Sequence, residues 1–273
     1  MTLDERDRYA LVMGANEWDL PRDEATVRLV DRYGGLLHAL ARKLCRGPEE
    51  AEDLVQEVFL NAYRGWDGFE GRSDPASWLW TIAARACQRM HRPRSGEPKL
   101  LETLDESLFT RDELGALPES GLDAAERSEL VERLRAAVAD LPQDHRMALV
   151  LRDVVGLSVA QTATALGVAQ GTVKSRLHRA RIALRAELES GLPQVALEPA
   201  RYDRAVCIDL LEAKQDALDR GVPFPVGDEV VCERCRAVFA TFDLTCDLVR
   251  DMGREELPRE VRQRLLERVQ TAG

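Results

Sequence analysis

The sequence has no uninterrupted apolar run near the roughly 18 residues that a membrane-spanning helix requires, so no membrane partner is expected. It opens on Met1-Thr2-Leu3-Asp4-Glu5-Arg6-Asp7, acidic and without an apolar core segment, which is unlike a secretory leader; a cytoplasmic location is expected. Histidine is scarce. His38, His91, His145 and His178 stand apart, none beside the Cys, His or carboxylate pattern of a catalytic metal. No glycine-rich phosphate loop occurs. We therefore expect no enzyme. Lysine is also rare, with four among 38 basic residues, an arginine skew that suggests a GC-rich coding sequence and says little about mechanism. There is no strand-like alternation of any length and no internal repeat. What remains, 45% apolar and 32% charged in 273 residues, is too apolar for a disordered chain and enough for about two domains. Six cysteines in a cytosolic chain argue against a disulfide framework, and toward metal or redox use for any that cluster.

The net charge of −10 is unevenly spread. Residues 1–94 carry −2, residues 95–129 carry −7, residues 130–190 carry +3 and residues 191–273 carry −4. One basic segment between acidic ones marks a single patch for a polyanion.

Three helices are expected in the first segment. Val27, Val30, Leu37, Leu40, Ala41 and Leu44 predict one over 24–46. Gly47-Pro48-Glu49-Glu50 resets the chain and opens a second over about 48–64, apolar at Ala51, Leu54, Val55, Val58, Phe59 and Ala62. Asp53, Gln56, Glu57 and Asn61 lie on its other face. A loop from Gly65 to Asp74 leads to a third helix, N-capped by Ser73 or Asp74 and containing Trp78, Leu79, Ile82, Ala83 and Ala86. Residues 95–125 lose periodicity and read as an acidic tether.

A second helical unit covers about 125–190. Within it Ser158 caps a helix of about two turns, Gly167 supplies a left-handed turn residue, and another helix starts near Gln170: helix-turn-helix patterning. The second helix of such a unit enters the major groove. Here it offers Gln170, Thr172, Lys174, Ser175, Arg176, His178, Arg179 and Arg181 outward, with Val173, Leu177 and Ala180 inward. Arg and Lys pair with guanine edges or phosphates, while Gln, Thr and Ser read either. By itself this unit also fits a transcriptional regulator with a metal-sensing tail, a reading that leaves the Asp53-Leu54-Val55-Gln56-Glu57 helix without a role.

Two motifs in this order, Ala51-Glu52-Asp53-Leu54-Val55-Gln56-Glu57-Val58-Phe59-Leu60 followed by Trp78-Leu79-Trp80-Thr81-Ile82-Ala83, and Leu141-Pro142 through Gly171-Thr172-Val173-Lys174-Ser175-Arg176-Leu177-His178-Arg179, resemble regions 2 and 4 of the extracytoplasmic-function sigma factors of bacterial RNA polymerase. The resemblance implies an all-α chain: region 2 over 1–94, a flexible acidic linker over 95–129, region 4 over 130–190. It implies that Asp53, Gln56, Glu57 and Asn61 dock on core polymerase. It implies that Phe69, Arg72, Ser73, Asp74, Trp80, Arg85 and Arg89 serve the −10 element, with Trp66 as a further aromatic candidate and Trp78 expected in the core. Arg92 and Arg94 would add phosphate contacts. Ser158, Gln170, Thr172, Lys174, Ser175, Arg176 and Arg179 would serve the −35 element of promoter DNA. Arg85 stands where the family often has Asn, and Gln161-Thr162-Ala163 replaces a common Glu-Ile-Ala. The linker would thread toward the RNA exit path, its charge mimicking nucleic acid.

About 80 residues follow region 4, a small helical extension over 195–273 with Cys207, Cys232, Cys235 and Cys246. Cys232-Glu233-Arg234-Cys235 has the spacing with which two thiolates grip one tetrahedral metal. The arrangement is similar to zinc-binding anti-sigma domains, with Asp228 where their His stands, so that Asp228 or Cys246 is the candidate fourth ligand of one zinc ion. A Cys232–Cys235 disulfide is the redox alternative. Cys45 and Cys87 are expected in the core. A last helix over about 255–270 could pack on region 2 or region 4. A built-in regulator is the expected role of the extension; a separate anti-sigma partner stays open.

Overall fold

The computed structural model describes residues 20–45, 47–69, 75–90, 113–118, 121–227, 229–252 and 258–271. Arg72, Ser73, Asp74, Arg92, Arg94, Asp228 and most of the acidic linker lie outside these residues.

Three helices form the first unit: α1 (Arg22–Leu44), α2 (Pro48–Gly65) and α3 (Pro75–Met90). α2 begins as its sequence dictates. Gly47 is extended, Pro48 sits in the first turn where a missing N–H costs nothing, and Glu49 and Glu50 face the positive end of the helix dipole. Leu37, Leu40, Leu54, Phe59, Leu79 and Trp80 are buried where the three helices meet.

The second unit holds α4 (Ala124–Asp140), α5 (Gln143–Leu149), α6 (Val159–Leu166) and α7 (Gln170–Ser190). Asp123 caps α4 by accepting from the N–H groups of Ala125 and Glu126, while the Glu126 side chain reaches back to the Asp123 N–H, a full capping box. Part of the expected linker is thus helical. α5 runs into a π-helical turn, Val150–Val154, in which the Val155 N–H reaches the Val150 carbonyl at 3.0 Å. That turn carries Arg152 and Asp153, both buried.

Between α6 and α7 the chain turns at Gly167, with φ +68° and ψ 35°. A Cβ there would meet no neighbouring atom, so the cost of one is purely the left-handed backbone. Gly167→Ala is expected to lose about 1–2 kcal/mol of unfolding free energy, measurable by urea titration.

The extension adds α8 (Arg204–Arg220), α9 (Glu233–Asp251) and α10 (Arg259–Thr271). It does not stand apart. α9 packs on α4 and α7, α10 packs on α1 and α2, and α6 packs on α3. One continuous apolar core runs from Leu37 and Leu54 through Leu134, Met147 and Leu177 to Leu248 and Leu265. A second core joins Leu114 and Ile182 to Cys207, Leu211, Phe239 and Phe242.

Among the described residues the fold is all-α except for one short ladder that periodicity did not announce. β1 (Glu113–Gly115) pairs antiparallel with β2 (Gln194–Ala196), Leu114 opposite Val195. Leu114 is fully buried, so the end of the linker is pinned to the extension and not free. Gly115 donates to Glu189 Oε1 at 3.0 Å, and a Cβ at this position would collide with the Glu189 backbone carbonyl. Three residues are too few for a period-2 signal, which is why the strand escapes a reading by alternation.

Candidate polymerase and promoter interface

On α2 the apolar stripe turns Leu54, Val55, Val58 and Phe59 inward, which leaves Asp53 exposed and Gln56, Glu57 and Asn61 half-buried on one polar face. This face is partly covered from within the chain. Arg264 and Arg268 of α10 pair with Glu52 and Gln56. Arg262 donates to Asp31 of α1 at 2.8 Å. Glu57 is paired with Arg89 of α3 at 2.6 Å, so one residue assigned to polymerase and one assigned to DNA neutralise each other.

Two tryptophans of α3 differ in their depth of burial. Trp80 is 1% exposed and belongs to the helix core, which corrects its assignment as a DNA-reading residue. Trp78, expected in the core, is partly buried and packs against that core, edge-on to Trp66 at 5.9 Å and tilted to Phe69 at 4.9 Å. Trp66 and Phe69 stack at 5.5 Å. Arg85 and Arg89 are exposed along the same helix. Beside Trp66 an open hollow of about 300 Å³ is lined by Leu20, Leu29, Arg32, Tyr33 and Pro75. Its walls come from separate stretches of chain, so no local motif marks it.

In the helix-turn-helix, Ser158 caps α6, its side chain accepting from the Gln161 N–H while the Gln161 side chain accepts from the Ser158 N–H. Gln161 thus acts as the capping residue where Glu is common. Val173, Leu177 and Ala180 are buried, and Gln170, Thr172, Lys174, Ser175 and Arg179 are exposed, as amphipathic spacing requires. Arg176 is half-buried and pairs with Asp144 at 2.5 Å. Lys174 reaches out to Asp216 of α8 at 2.7 Å, and that hydrogen bond holds the Asp216 carboxyl below the usual carboxylate range.

Arg181 is a second correction. It was expected among the outward residues and is 1% exposed. Its guanidinium makes a two-pronged pair with Asp153 at 3.0 and 2.9 Å and another with Asp219 of α8 at 2.7 Å. Burial alone would favour loss of its proton, but the two carboxylates more than offset this and hold it firmly charged. Arg152 completes the cluster from the π turn, donating to the carbonyls of Leu218 and Asp219 at the C-terminal end of α8. One turn on, Arg185 donates to Thr241 Oγ1 at 2.8 Å, pairs with Glu189 at 2.7 Å and stands 5.6 Å over the Phe242 ring. These residues fasten the extension to α7. Charge spacing alone did not find them, because an arginine on a basic helix looks the same whether it faces water or a later segment.

The four extension cysteines separate into three and one. Cys207 and Cys232 both hydrogen-bond with Cys235. Burial pushes the Cys207 and Cys235 thiols up. At Cys232, the N-cap of α9, burial also pushes upward. Backbone hydrogen bonds from Arg201, Cys235 and Arg234, with the Cys235 thiol, outweigh it and lower this one. Cys246 is eleven residues beyond Cys235 on the same helix, about 16 Å along its axis at 1.5 Å per residue. It lies instead against Asp153 and Arg181, its thiol pushed up to about 12, first by burial. One tetrahedral ion cannot take both Cys235 and Cys246, so Cys246 is removed from the ligand set. Among the described residues no group of three or more His, Cys, Asp or Glu is arranged to hold a metal ion. Cys45 and Cys87 are buried as expected, both thiols pushed up to about 12, chiefly by burial.

Comparison with known proteins accounts for both halves of this surface. Residues 29–96 match Sigma-70 region 2, and residues 131–184 match Sigma-70, region 4. The ECF RNA polymerase sigma factor SigM of Mycobacterium tuberculosis is 35% identical over 161 residues, 58% of this chain and 74% of that one. SigW of Bacillus subtilis, also an ECF RNA polymerase sigma factor, is 31% identical over 172 residues, 60% of this chain and 89% of that one. Among solved structures, the sigma factor RpoE in complex with the anti-sigma factor NepR from Bartonella quintana aligns with a TM-score of 0.41 at 26% identity, over 68% of this chain and 98% of that one. No described helix is long and apolar enough to cross a membrane. With both sigma regions matched in order and a relative 35% identical covered over 74% of its length, the chain belongs to the extracytoplasmic-function sigma factors of RNA polymerase.

Proposed function

We propose that this sigma factor works through the residues placed above: Asp53, Gln56, Glu57 and Asn61 on core polymerase, the Trp66–Phe69–Trp78 cluster with Arg85 and Arg89 at the −10 element, and the outer face of α7 at the −35 element. The observation that supports this most directly is the sorting of α7, whose apolar side chains are buried while Gln170, Thr172, Lys174, Ser175 and Arg179 point to solvent at the end that leads into the major groove. The aromatic cluster and the hollow beside Trp66 suit an unstacked base, because every base has a face on which an aromatic ring can stack. Asp216 would have to leave Lys174 before that side chain meets DNA.

The extension is the regulatory part of this reading. Its thiol trio would sense a metal or an oxidant. The sulfurs of Cys207, Cys232 and Cys235 are donors of the kind zinc takes, with Asp228 the remaining candidate for a fourth, although the described residues are not arranged around an ion. When bound, such an ion would tie α8 to the start of α9. A cytoplasmic location and the absence of catalytic activity belong to the same reading. A separate anti-sigma partner would compete for surfaces that this chain's own extension already meets.

The test is run-off transcription with sigma-less core polymerase. The chain is expected to confer start-site choice on a two-element promoter. Lys174→Ala is expected to weaken discrimination at one −35 base by about 1–3 kcal/mol, a roughly 5- to 150-fold loss, without loss of core binding. A protein that confers no start-site choice with or without added zinc or reductant would overturn the reading.

A further inference from the structure

The extension meets the sigma regions through contacts of different physical character. α8 and α9 are fastened to α7 and the π turn by the buried cluster of Arg181, Asp153, Asp219 and Arg152, and by Arg185 on Thr241. α10 is held differently. It inserts Val261 and Leu265 into the core between α1 and α2, with Leu266 packed at its edge, and adds ion pairs and hydrogen bonds at the surface. In those pairs the arginines of α10 are about half exposed, 44% for Arg262 and 49% for Arg264. Exposed pairs are worth about 0–1 kcal/mol each and weaken with salt. Buried networks resist removal of a partner by several kcal/mol. Of the two attachments, α10 is the one that opens first.

What α10 covers is specific. It carries Arg262, Arg264 and Arg268 against a face formed by Asp31, Glu52 and Gln56, a basic helix on an acidic one. Gln56 is among the residues assigned to polymerase, and Glu52 and Asp53 neighbour it on α2. We propose that α10 is a cis competitor of core polymerase: a detachable arginine-rich helix whose release from Asp31, Glu52 and Gln56, with α8 and α9 still in place, controls access to the polymerase-binding face of α2. This rests on the reading of that face as the polymerase contact. It places the control of polymerase access in surface electrostatics, separately from the thiol trio, which lies in the other core beside α7.

The energetics have the right scale. A tethered helix acts at an effective concentration set by its short connection, in the millimolar range, so modest contacts suffice to keep it seated. If the open state is the only one that binds, the apparent affinity for polymerase falls in proportion to its population. A latch closed about nine-tenths of the time lowers affinity about tenfold.

The test uses the full chain. In one variant Arg262→Glu, Arg264→Glu and Arg268→Glu are combined; in a second, Leu265→Asp removes the buried apolar contact at a residue 1% exposed. Amide hydrogen exchange over 258–271 reports whether α10 is released, and exchange over 48–65 and 204–251 reports whether the rest holds. Equilibrium binding to sigma-less core polymerase is measured on the same samples at low and high salt. We expect both variants to lose protection over 258–271 only, and to bind core about tenfold more tightly than wild type at low salt. The advantage of the charge-reversal variant should shrink as salt opens the wild type. Released α10 with unchanged or weaker core binding overturns the competition. Full protection of α10 in both variants overturns the latch. If no form binds core although α10 is released, the polymerase reading of the α2 face fails, and the exchange data still decide whether the latch exists.

Discussion

Replacing Arg181 with alanine is expected to cost about 3–5 kcal/mol of stability at neutral pH, the range for removing one partner from a buried ion cluster. The guanidinium is 1% exposed and satisfies two carboxylates that have little other solvation. Without it, Asp153 and Asp219 remain in the interior as like charges. Asp219 is already pushed above the usual carboxylate range, first by burial, although Arg181 pulls it down. In the variant the Asp219 carboxyl would be raised further. A carboxyl raised in the folded state penalises folding only where it is ionised there. The loss is therefore absent below the unfolded carboxylate pKa and grows as pH rises through the raised folded value. Urea unfolding at pH 5 and pH 7 is expected to show a smaller deficit at the lower pH. Because Asp219 is on α8, hydrogen exchange should show α8 released from α7 before the sigma regions unfold. An Arg181→Ala protein with wild-type stability at pH 7 would mean that the cluster does not hold the extension.

Trp80→Ala is expected to cost about 3–5 kcal/mol, the range for removing a large aromatic side chain from a packed interior. Trp80 is among the largest fully buried side chains, inside the junction of α1, α2 and α3. Trp78→Ala should behave differently. Its ring is only partly buried beside Trp66 and Phe69, so thermal unfolding is expected to shift less than in Trp80→Ala. The loss should appear in promoter opening, followed with a fluorescent base analogue in the −10 element at a saturating concentration of the sigma–polymerase complex. The reverse pattern, with Trp80→Ala stable and defective in opening, would return Trp80 to the DNA and Trp78 to the core.

The two tryptophans show where sequence reasoning reaches its limit. The helix over Pro75–Met90 was legible from its apolar spacing, and so were α1, α2, α6 and α7 to within a few residues. Helical phase is a local property, fixed by side chains three and four positions apart. Which tryptophan lies deeper depends on where α2 and α1 sit against the helix, and both residues are apolar enough to satisfy either position. The turn of the helix-turn-helix was equally legible, because a left-handed backbone at Gly167 is a local steric demand. The family followed from two local motifs in the right order.

The sequence alone determined α1, α2, α3, α6 and α7, the cap at Ser158, the turn at Gly167, the charge asymmetry and the presence of a thiol pair at metal-ligand spacing, since each of these is set within a few residues of chain. The tertiary structure decided what faces what. It buried Arg181 and Arg185 against a segment about 35–55 residues downstream, separated Cys246 from the other thiols, paired Leu114 with Val195 and laid α10 across Glu52 and Gln56. The physical reason is the same in each case. A charged or apolar side chain carries no mark of its partner, and its state is fixed only when distant segments bring a carboxylate, a thiol or a core within a few ångströms.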